Sequence, residues 1–135
     1  MKTKKALTQE DARIISAAAE RYAASKGWAV TIVVADDTGY PLSLQRLDGA
    51  LPMTVDVALG KARTSALGRA PTKAVEDLIL KGRVSILALP GPMPIEGGLP
   101  VFVDGDCAGG VGVSGVLSAE DSEIAQAGID ALLKK

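Results

Sequence analysis

The sequence contains no histidine, one cysteine and few aromatic residues, and each shortage excludes a class of protein. Without histidine, the chain lacks the commonest metal ligand, the usual general base and the usual haem ligand. The single cysteine, Cys107, excludes an intrachain disulfide and a thiolate-rich metal cluster. Aromatic residues make up 3% of the chain, which argues against a stacking platform for nucleic-acid bases.

The chain also lacks a charge excess and a long apolar run. Lys and Arg total 15 and Asp and Glu total 16, whereas nucleic-acid binders usually carry a basic excess. No apolar segment approaches the roughly 20 residues that span a bilayer, and the basic start is followed by an amphipathic helix rather than a signal-peptide core. We therefore expect one cytoplasmic domain, residues 1–135, with no nucleic-acid or membrane partner.

Four segments have the apolar spacing of amphipathic helices, and they are predicted over residues 9–26, 54–67, 71–81 and 118–134. Each has a hydroxyl residue at its start that is predicted to cap it, namely Thr8, Thr54, Thr72 and Ser118. Asp11 and Asp121 follow the first and last of these residues in capping-box arrangements. Gly27 is placed to end the first helix.

Two β-hairpins are predicted from runs of β-branched and apolar residues that flank short turns. The first pairs residues 28–35 with residues 40–47, and the second pairs residues 101–103 with residues 107–114. Residues 84–89 fit either a short strand or a turn of helix. The order of elements predicts a layered α+β domain, in which helices flank an antiparallel sheet of about five strands.

Four polar residues in the middle of the chain are candidates for binding an anion. Arg46 and Asp48 end the second strand, where a small ligand could be held at the end of the sheet. Lys61 and Thr64 lie three residues apart on a helix and so share a face, from which Arg63 points away. With Arg46 they form a basic cluster suited to a carboxylate or a phosphate. A surface turn and a solvated helix face explain the same residues without a ligand.

Glycine-rich segments supply the other candidates. Glu96 precedes Gly97 and Gly98, whose N–H groups could form an anion-binding nest or simply turn into the next strand. Residues 109–115 read GGVGVSG, and glycine within a strand marks the close approach of a ligand or another backbone. Ser114 in this segment is a candidate ligand contact. Without a histidine base it is not expected to act as a nucleophile.

Residues elsewhere in the second half of the chain have structural explanations. Cys107 is predicted to be a small buried strand residue, and Asp121 and Glu123 are predicted to stabilise the dipole of the last helix. Gly128 lies inside that helix, where it costs stability relative to Ala. It is predicted to permit close packing against the sheet or another subunit.

These motifs, in this order, resemble the GlcG/HbpS-like domain family, which also forms the C-terminal domain of PduO-type corrinoid adenosyltransferases. The resemblance covers about residues 7–133. It rests on the first helix, on the acidic start of the last helix and on the blocks VVADDTGYPLSLQRLDGA, ALGKARTSA, EGGLPV and GGVGVSG. It implies a compact α–β–α domain of profilin-like appearance that forms homo-oligomers, from dimers to octamers.

The resemblance also implies a ligand class. Several members of the family bind haem, and others belong to operons for glycolate, diol or aromatic catabolism. This chain departs from the haem-binding members because it has no histidine and no export signal. Iron would have to be held by an oxygen ligand or by the thiolate of Cys107.

We therefore predict a small oligomeric accessory protein of a catabolic pathway, without a metal site. It would bind a small anionic metabolite or a tetrapyrrole such as haem or a corrinoid. One alternative is an enzyme for a small hydroxy- or keto-acid, with Arg46 or Lys61 binding the carboxylate and Asp48 or Glu96 moving a proton. Another is a structural protein–protein accessory. The lack of an obvious catalytic base favours binding over catalysis.

Overall fold

The computed structural model describes residues 1–134, in which helices enclose a four-stranded antiparallel sheet, so the predicted α+β class is confirmed. The strands lie in the order β2–β1–β4–β3 and are β1 (Thr31–Asp36), β2 (Pro41–Arg46), β3 (Gly98–Val103) and β4 (Asp106–Ser114). The helices are α1 (Gln9–Lys26), α2 (Thr54–Gly68), α3 (Thr72–Leu80) and α4 (Ser118–Leu133). A 3₁₀ helix (Val84–Ala88) follows α3.

The sheet has one strand fewer than predicted, because residues 84–89 do not join it. Gly82 turns the chain in front of this segment with a φ of 108°, a conformation that favours glycine. The segment then forms the 3₁₀ helix, in which Ile86 is buried whereas Val84 and Leu87 are 63% and 57% exposed. A turn of helix that buries one residue in five suits a surface connection and not a paired strand.

The domain has three layers, as the resemblance implied. Helices α1 and α4 pack together on one face of the sheet, and α2 covers the other face. The residues of β1 alternate between these two sides, because successive side chains of a strand point to opposite faces. Ile32 and Val34 join the core beneath α1 and α4, whereas Val33 and Ala35 pack against the alanines of α2.

Strand β4 is rich in glycine because α2 lies directly on it. A Cβ atom at Gly112 would overlap the carbonyl oxygen of Ala58, and one at Gly110 would lie 2.5 Å from that of Ala62. The expectation of a close approach is therefore confirmed for another backbone. At these two glycines the helix occupies the space that a ligand would need.

Gly128 permits close packing too, and within the chain it packs against a helix and not against the sheet. A Cβ atom at Gly128 would lie 2.6 Å from the carbonyl oxygen of Ile15 in α1. The glycine therefore brings α4 against α1, and the predicted contact with the sheet is wrong.

The helix starts follow the prediction at α1 and depart from it elsewhere. Thr8 and Asp11 form the predicted capping box, and Gly27 ends α1 in the left-handed conformation with a φ of 72°. Thr54, Thr72 and Ser118 are the first residues of their helices and do not cap them, because the residue before each one holds the N-cap position. At α4 the Glu120 carboxylate, and not that of Asp121, accepts the N–H of Leu117 that precedes the helix.

Candidate functional site

The structure spreads the predicted site residues over several places. Arg46 is exposed at the end of β2, and its Nε donates to the carbonyl oxygen of Ala50 at 3.2 Å. Asp48 is exposed in the turn that follows. Thr31 of β1 pairs with Arg46 of β2 on one side and with Ser114 of β4 on the other. Arg46 and Ser114 therefore lie in one row across the sheet, with Thr31 between them. Glu96 lines a separate hollow of about 310 Å³ beside the start of α4.

Lys61 and Gly97 do come together, but inside the protein. Lys61 is 1% exposed, and its Nζ donates to the carbonyl oxygen of Val113 at 2.9 Å and to Asp121 Oδ2 at 3.1 Å. Gly97 covers the ammonium group so closely that a Cβ atom there would lie 2.6 Å from Nζ. The charge of Lys61 is therefore used within the fold, where it joins α2 to β4 and α4.

Gly98 is likewise occupied by internal contacts. Its N–H donates to the hydroxyl of Thr72 at 2.9 Å, and a Cβ atom on it would overlap the carbonyl oxygen of Lys61. An anion-binding nest needs N–H groups that point to open space, and this N–H already has an acceptor. The contact also explains why Thr72 does not cap α3.

Asp121 is the anionic partner of Lys61 and is 2% exposed. Burial raises the pKa of this carboxyl above its ordinary value, and the Lys61 ammonium and the N–H of Val116 offset part of that rise. Asp121 lies in the first turn of α4, where it was predicted to stabilise the helix dipole. In addition, its Oδ1 accepts the Val116 N–H at 3.1 Å and its Oδ2 accepts a hydrogen bond from Lys61 Nζ at 3.1 Å.

A large open groove lies between α2, α3 and the segment that follows α3, and we call it the α2–α3 groove. Its volume is about 500 Å³. Most of its lining is apolar and comes from three parts of the chain, as represented by Leu67, Val75, Leu78, Ile86, Leu89 and Pro92. Arg63 and Thr64 contribute its polar side. Of the predicted site residues, Thr64 is the one that lines this groove.

Two polar side chains of the groove are held in place by neighbouring backbone. The Thr64 hydroxyl accepts the N–H of Met93 at 2.9 Å. Arg63 Nη1 donates to the carbonyl oxygen of Gly39 at 2.8 Å, and the guanidinium carbon lies 5.1 Å from the centre of the Tyr40 ring. The guanidinium is therefore fixed between the β1–β2 turn and the groove.

Arg63 is the residue that sequence reasoning missed, and the sequence does carry a signal for it. Residues 58, 61, 62, 65 and 66 are buried in α2 and follow helical spacing. This stripe assigns Lys61 to the buried face and Arg63 with Thr64 to the outer face. The alanines at 58, 62 and 66 could have identified the stripe.

The fold and the groove define a class of protein, namely a small layered α+β domain with an open apolar groove beside α2. Comparison with known proteins identifies the family. The family model for "Haem degrading protein HbpS-like" matches residues 7–130, and the chain belongs to that family.

Three similar proteins illustrate the match. Protein GlcG of Escherichia coli strain K12 is 45% identical over 114 residues, which cover 84% of this chain and 85% of GlcG. The crystal structure of a double mutant of Streptomyces reticuli HbpS has a TM-score of 0.90 at 32% identity, covering 98% of this chain and 90% of HbpS. A crystal structure of a PduOC–haem complex has a TM-score of 0.86 at 26% identity, covering 93% and 94%.

The residues of the groove do not fit a haem that is held through its iron. Haem iron is held by histidine, cysteine, methionine or tyrosine, and none of these lines the α2–α3 groove. Cys107 is buried elsewhere, with its Sγ 3.4 Å from the carbonyl oxygen of Gly109. Within residues 1–134, no group of three His, Cys, Asp or Glu side chains could hold a metal ion.

No helix of the described part of the chain combines the length and the apolar character that crossing a membrane requires.

Proposed function

We propose that this chain is a ligand-binding accessory protein and that the α2–α3 groove is its ligand site. The observation that carries the proposal is the groove itself, which has a volume of about 500 Å³, an apolar lining and one polar side. Sites for small molecules usually have volumes of about 300–1,000 Å³, apolar walls and a few placed polar groups. The groove has each of these properties.

The similar proteins support binding as the general role. A PduOC protein was crystallised with haem, and the description of the matching family, haem degrading, also requires that haem binds. The ligand we propose for this chain is a small anionic metabolite or a tetrapyrrole, within a catabolic pathway of the cytoplasm. Catalysis on a small hydroxy- or keto-acid has less support, because Lys61 is buried and Glu96 lines a hollow whose lining does not include Arg46.

Blocking the groove tests the proposal. The dye 1-anilinonaphthalene-8-sulfonate, which is apolar and anionic, should bind saturably with a rise in its fluorescence. Ala70→Trp places an indole in the groove lining and should weaken binding at least about tenfold. Ala119→Trp, which places the same side chain in the hollow beside α4, is the matched control. Equal dye binding by both variants would contradict the proposed site.

We also propose that the protein self-associates through the outer surface of α3 and the 3₁₀ helix. Leu80, Val84 and Leu87 are 57–76% exposed there, and clustered exposed apolar side chains mark interaction surfaces. Leu80→Lys should lower the mass seen by sedimentation velocity relative to Leu133→Lys, which changes an exposed leucine of α4. An unchanged mass for Leu80→Lys would contradict this surface.

A further inference from the structure

We propose that the α2–α3 groove selects apolar molecules that carry a carboxylate, that Arg63 holds the carboxylate, and that no metal ion takes part. This inference rests on the proposed function, and it adds the class of ligand and the residue that selects it.

Arg63 is a cation without an anionic partner at the side of an apolar groove. No carboxylate of residues 1–134 lies within 4.0 Å of its guanidinium, whereas Lys4, Arg13, Lys61 and Lys73 each have one. A guanidinium has five N–H donors, and one of them is used by the carbonyl oxygen of Gly39. The remaining donors suit a carboxylate, which arginine binds in a planar, two-bond arrangement.

The position of this charge is fixed before a ligand arrives. The hydrogen bond to Gly39 and the ring of Tyr40 hold the guanidinium from the side of the β1–β2 turn. Gly39 is in turn packed by Leu67, since a Cβ atom at Gly39 would lie 3.0 Å from Leu67 Cγ. Arginine loses less conformational freedom on binding when it is held in this way.

The rest of the groove favours an apolar body for the same ligand. Leu67, Leu78 and Leu89 line it from three sides and are 54%, 44% and 58% exposed. Covering such side chains is favourable in proportion to the apolar area removed from water. Charge at one side and apolar walls elsewhere together describe an amphipathic carboxylate.

The side chains that line the groove explain why no metal ion takes part. Because no His, Cys, Met or Tyr side chain lines the groove, a porphyrin could bind there by its rings and its propionates alone. Iron would then add nothing to the affinity. This distinguishes the chain from a protein that ligates haem iron.

A matched pair of probes tests the carboxylate. Naphthalene-2-carboxylate and naphthalene-2-carboxamide have nearly the same shape and differ in charge. Titration of ¹⁵N-labelled protein should shift amide signals of residues 63–92, and the carboxylate should bind about tenfold more tightly than the amide. Arg63→Gln should remove that difference by weakening the carboxylate alone. Arg21→Gln, an exposed arginine of α1 on the opposite face of the sheet, should leave it unchanged.

The outcomes separate the ligand class from the proposed function. Equal affinities of the two probes at the groove, or an Arg63→Gln variant that binds the carboxylate as well as the native protein, would overturn the ligand class and leave the groove as a binding site. An absence of saturable shifts for residues 63–92 with both probes would overturn the proposed function as well.

A comparison of haemin with iron-free protoporphyrin IX tests the absence of a metal. We expect the two porphyrins to have equal affinities within about threefold, or neither to bind. Haemin that binds more than about tenfold more tightly, with a shifted Soret band, would show that the iron is ligated and would overturn this part of the proposal.

Discussion

Lys61 is the bulkiest side chain that the described fold buries completely. A buried ammonium group is costly unless acceptors replace the lost water, and here Asp121 and the carbonyl oxygen of Val113 do so. Gly97 completes the enclosure, because any other residue there would carry a Cβ atom 2.6 Å from Nζ. The Gly-Gly pair thus serves the packing of a buried ion pair.

Removing one member of this pair should destabilise the fold far more than removing both. Lys61→Met leaves the Asp121 carboxylate buried without its cation, which typically costs about 3–5 kcal/mol. In the double variant Lys61→Met/Asp121→Asn both charges are absent, and we expect it to regain most of that loss. Urea unfolding of the native protein and both variants measures the difference. A double variant no more stable than Lys61→Met would contradict the account.

The same carboxyl makes stability depend on pH. Its pKa is raised in the folded protein from the ordinary 3.8 by burial, so the folded state holds the proton to a higher pH than the unfolded chain. Between pH 3.8 and the raised pKa of the folded state, the folded protein therefore binds more protons than the unfolded chain. The free energy of unfolding falls as the pH rises through this range.

Unfolding of native protein and Asp121→Asn at a series of pH values from about 4 upward checks this dependence. The native protein should lose stability relative to the variant as the pH rises. A difference that stays constant, or one that grows in favour of the native protein, would show that burial does not dominate the pKa of Asp121.

The sequence identified Lys61 as a candidate site residue but did not predict that its side chain is buried and bonded within the fold. The spacing of Lys61 and Thr64 is compatible with a shared face, yet the fold buries one and opens the other to the groove. Whether a helix residue is buried depends on the width of the buried stripe as well as on the residue's position. In α2 the alanines show where the buried stripe lies, but they do not show that it is wide enough to include Lys61.

Between elements, α2 approaches β4 at backbone distance. The sheet presents Gly110 and Gly112 to the alanines of the helix, so that two backbones meet without side chains between them. In the sequence these appear as two unrelated features, a glycine-rich strand and an alanine-rich helix. The packing joins them.

Gly112→Ala should force α2 away from the sheet, because the new methyl group would overlap the carbonyl oxygen of Ala58. Overpacking of this kind costs about 1–3 kcal/mol. Gly68→Ala is the control, since a Cβ atom there meets nothing within 4 Å and alanine favours the helix by about 0.5–1 kcal/mol. Thermal unfolding of both variants measures these effects, and a Gly112→Ala variant as stable as the native protein would contradict the packing.

The helices themselves were predictable in place, but their capping residues were not. Apolar spacing predicted α1, α2, α3 and α4 to within a few residues. Thr54 and Thr72 were assigned to caps, and their hydroxyls instead bond across elements, to Thr31 and to the Gly98 N–H. Local propensity cannot reveal such contacts, since they join residues 23 and 26 positions apart.

For the whole molecule, the sequence predicts the layered α+β fold and the family, but it does not predict the α2–α3 groove. Hairpins, helices and motifs predicted the layers and the family, both of which are confirmed. The groove depends on where α3 and the 3₁₀ helix lie relative to α2. That placement is set by long-range contacts such as the bond from the Gly98 N–H to Thr72.

One titration decides whether the ligand binds in the α2–α3 groove or near Lys61, where the sequence predicted a binding site. The affinity for naphthalene-2-carboxylate should fall about tenfold in Arg63→Gln and should be unchanged in Lys61→Met/Asp121→Asn, whose altered residues are buried away from the groove lining. The opposite result, with binding lost in the double variant and kept in Arg63→Gln, would place the ligand at Lys61 and contradict the account.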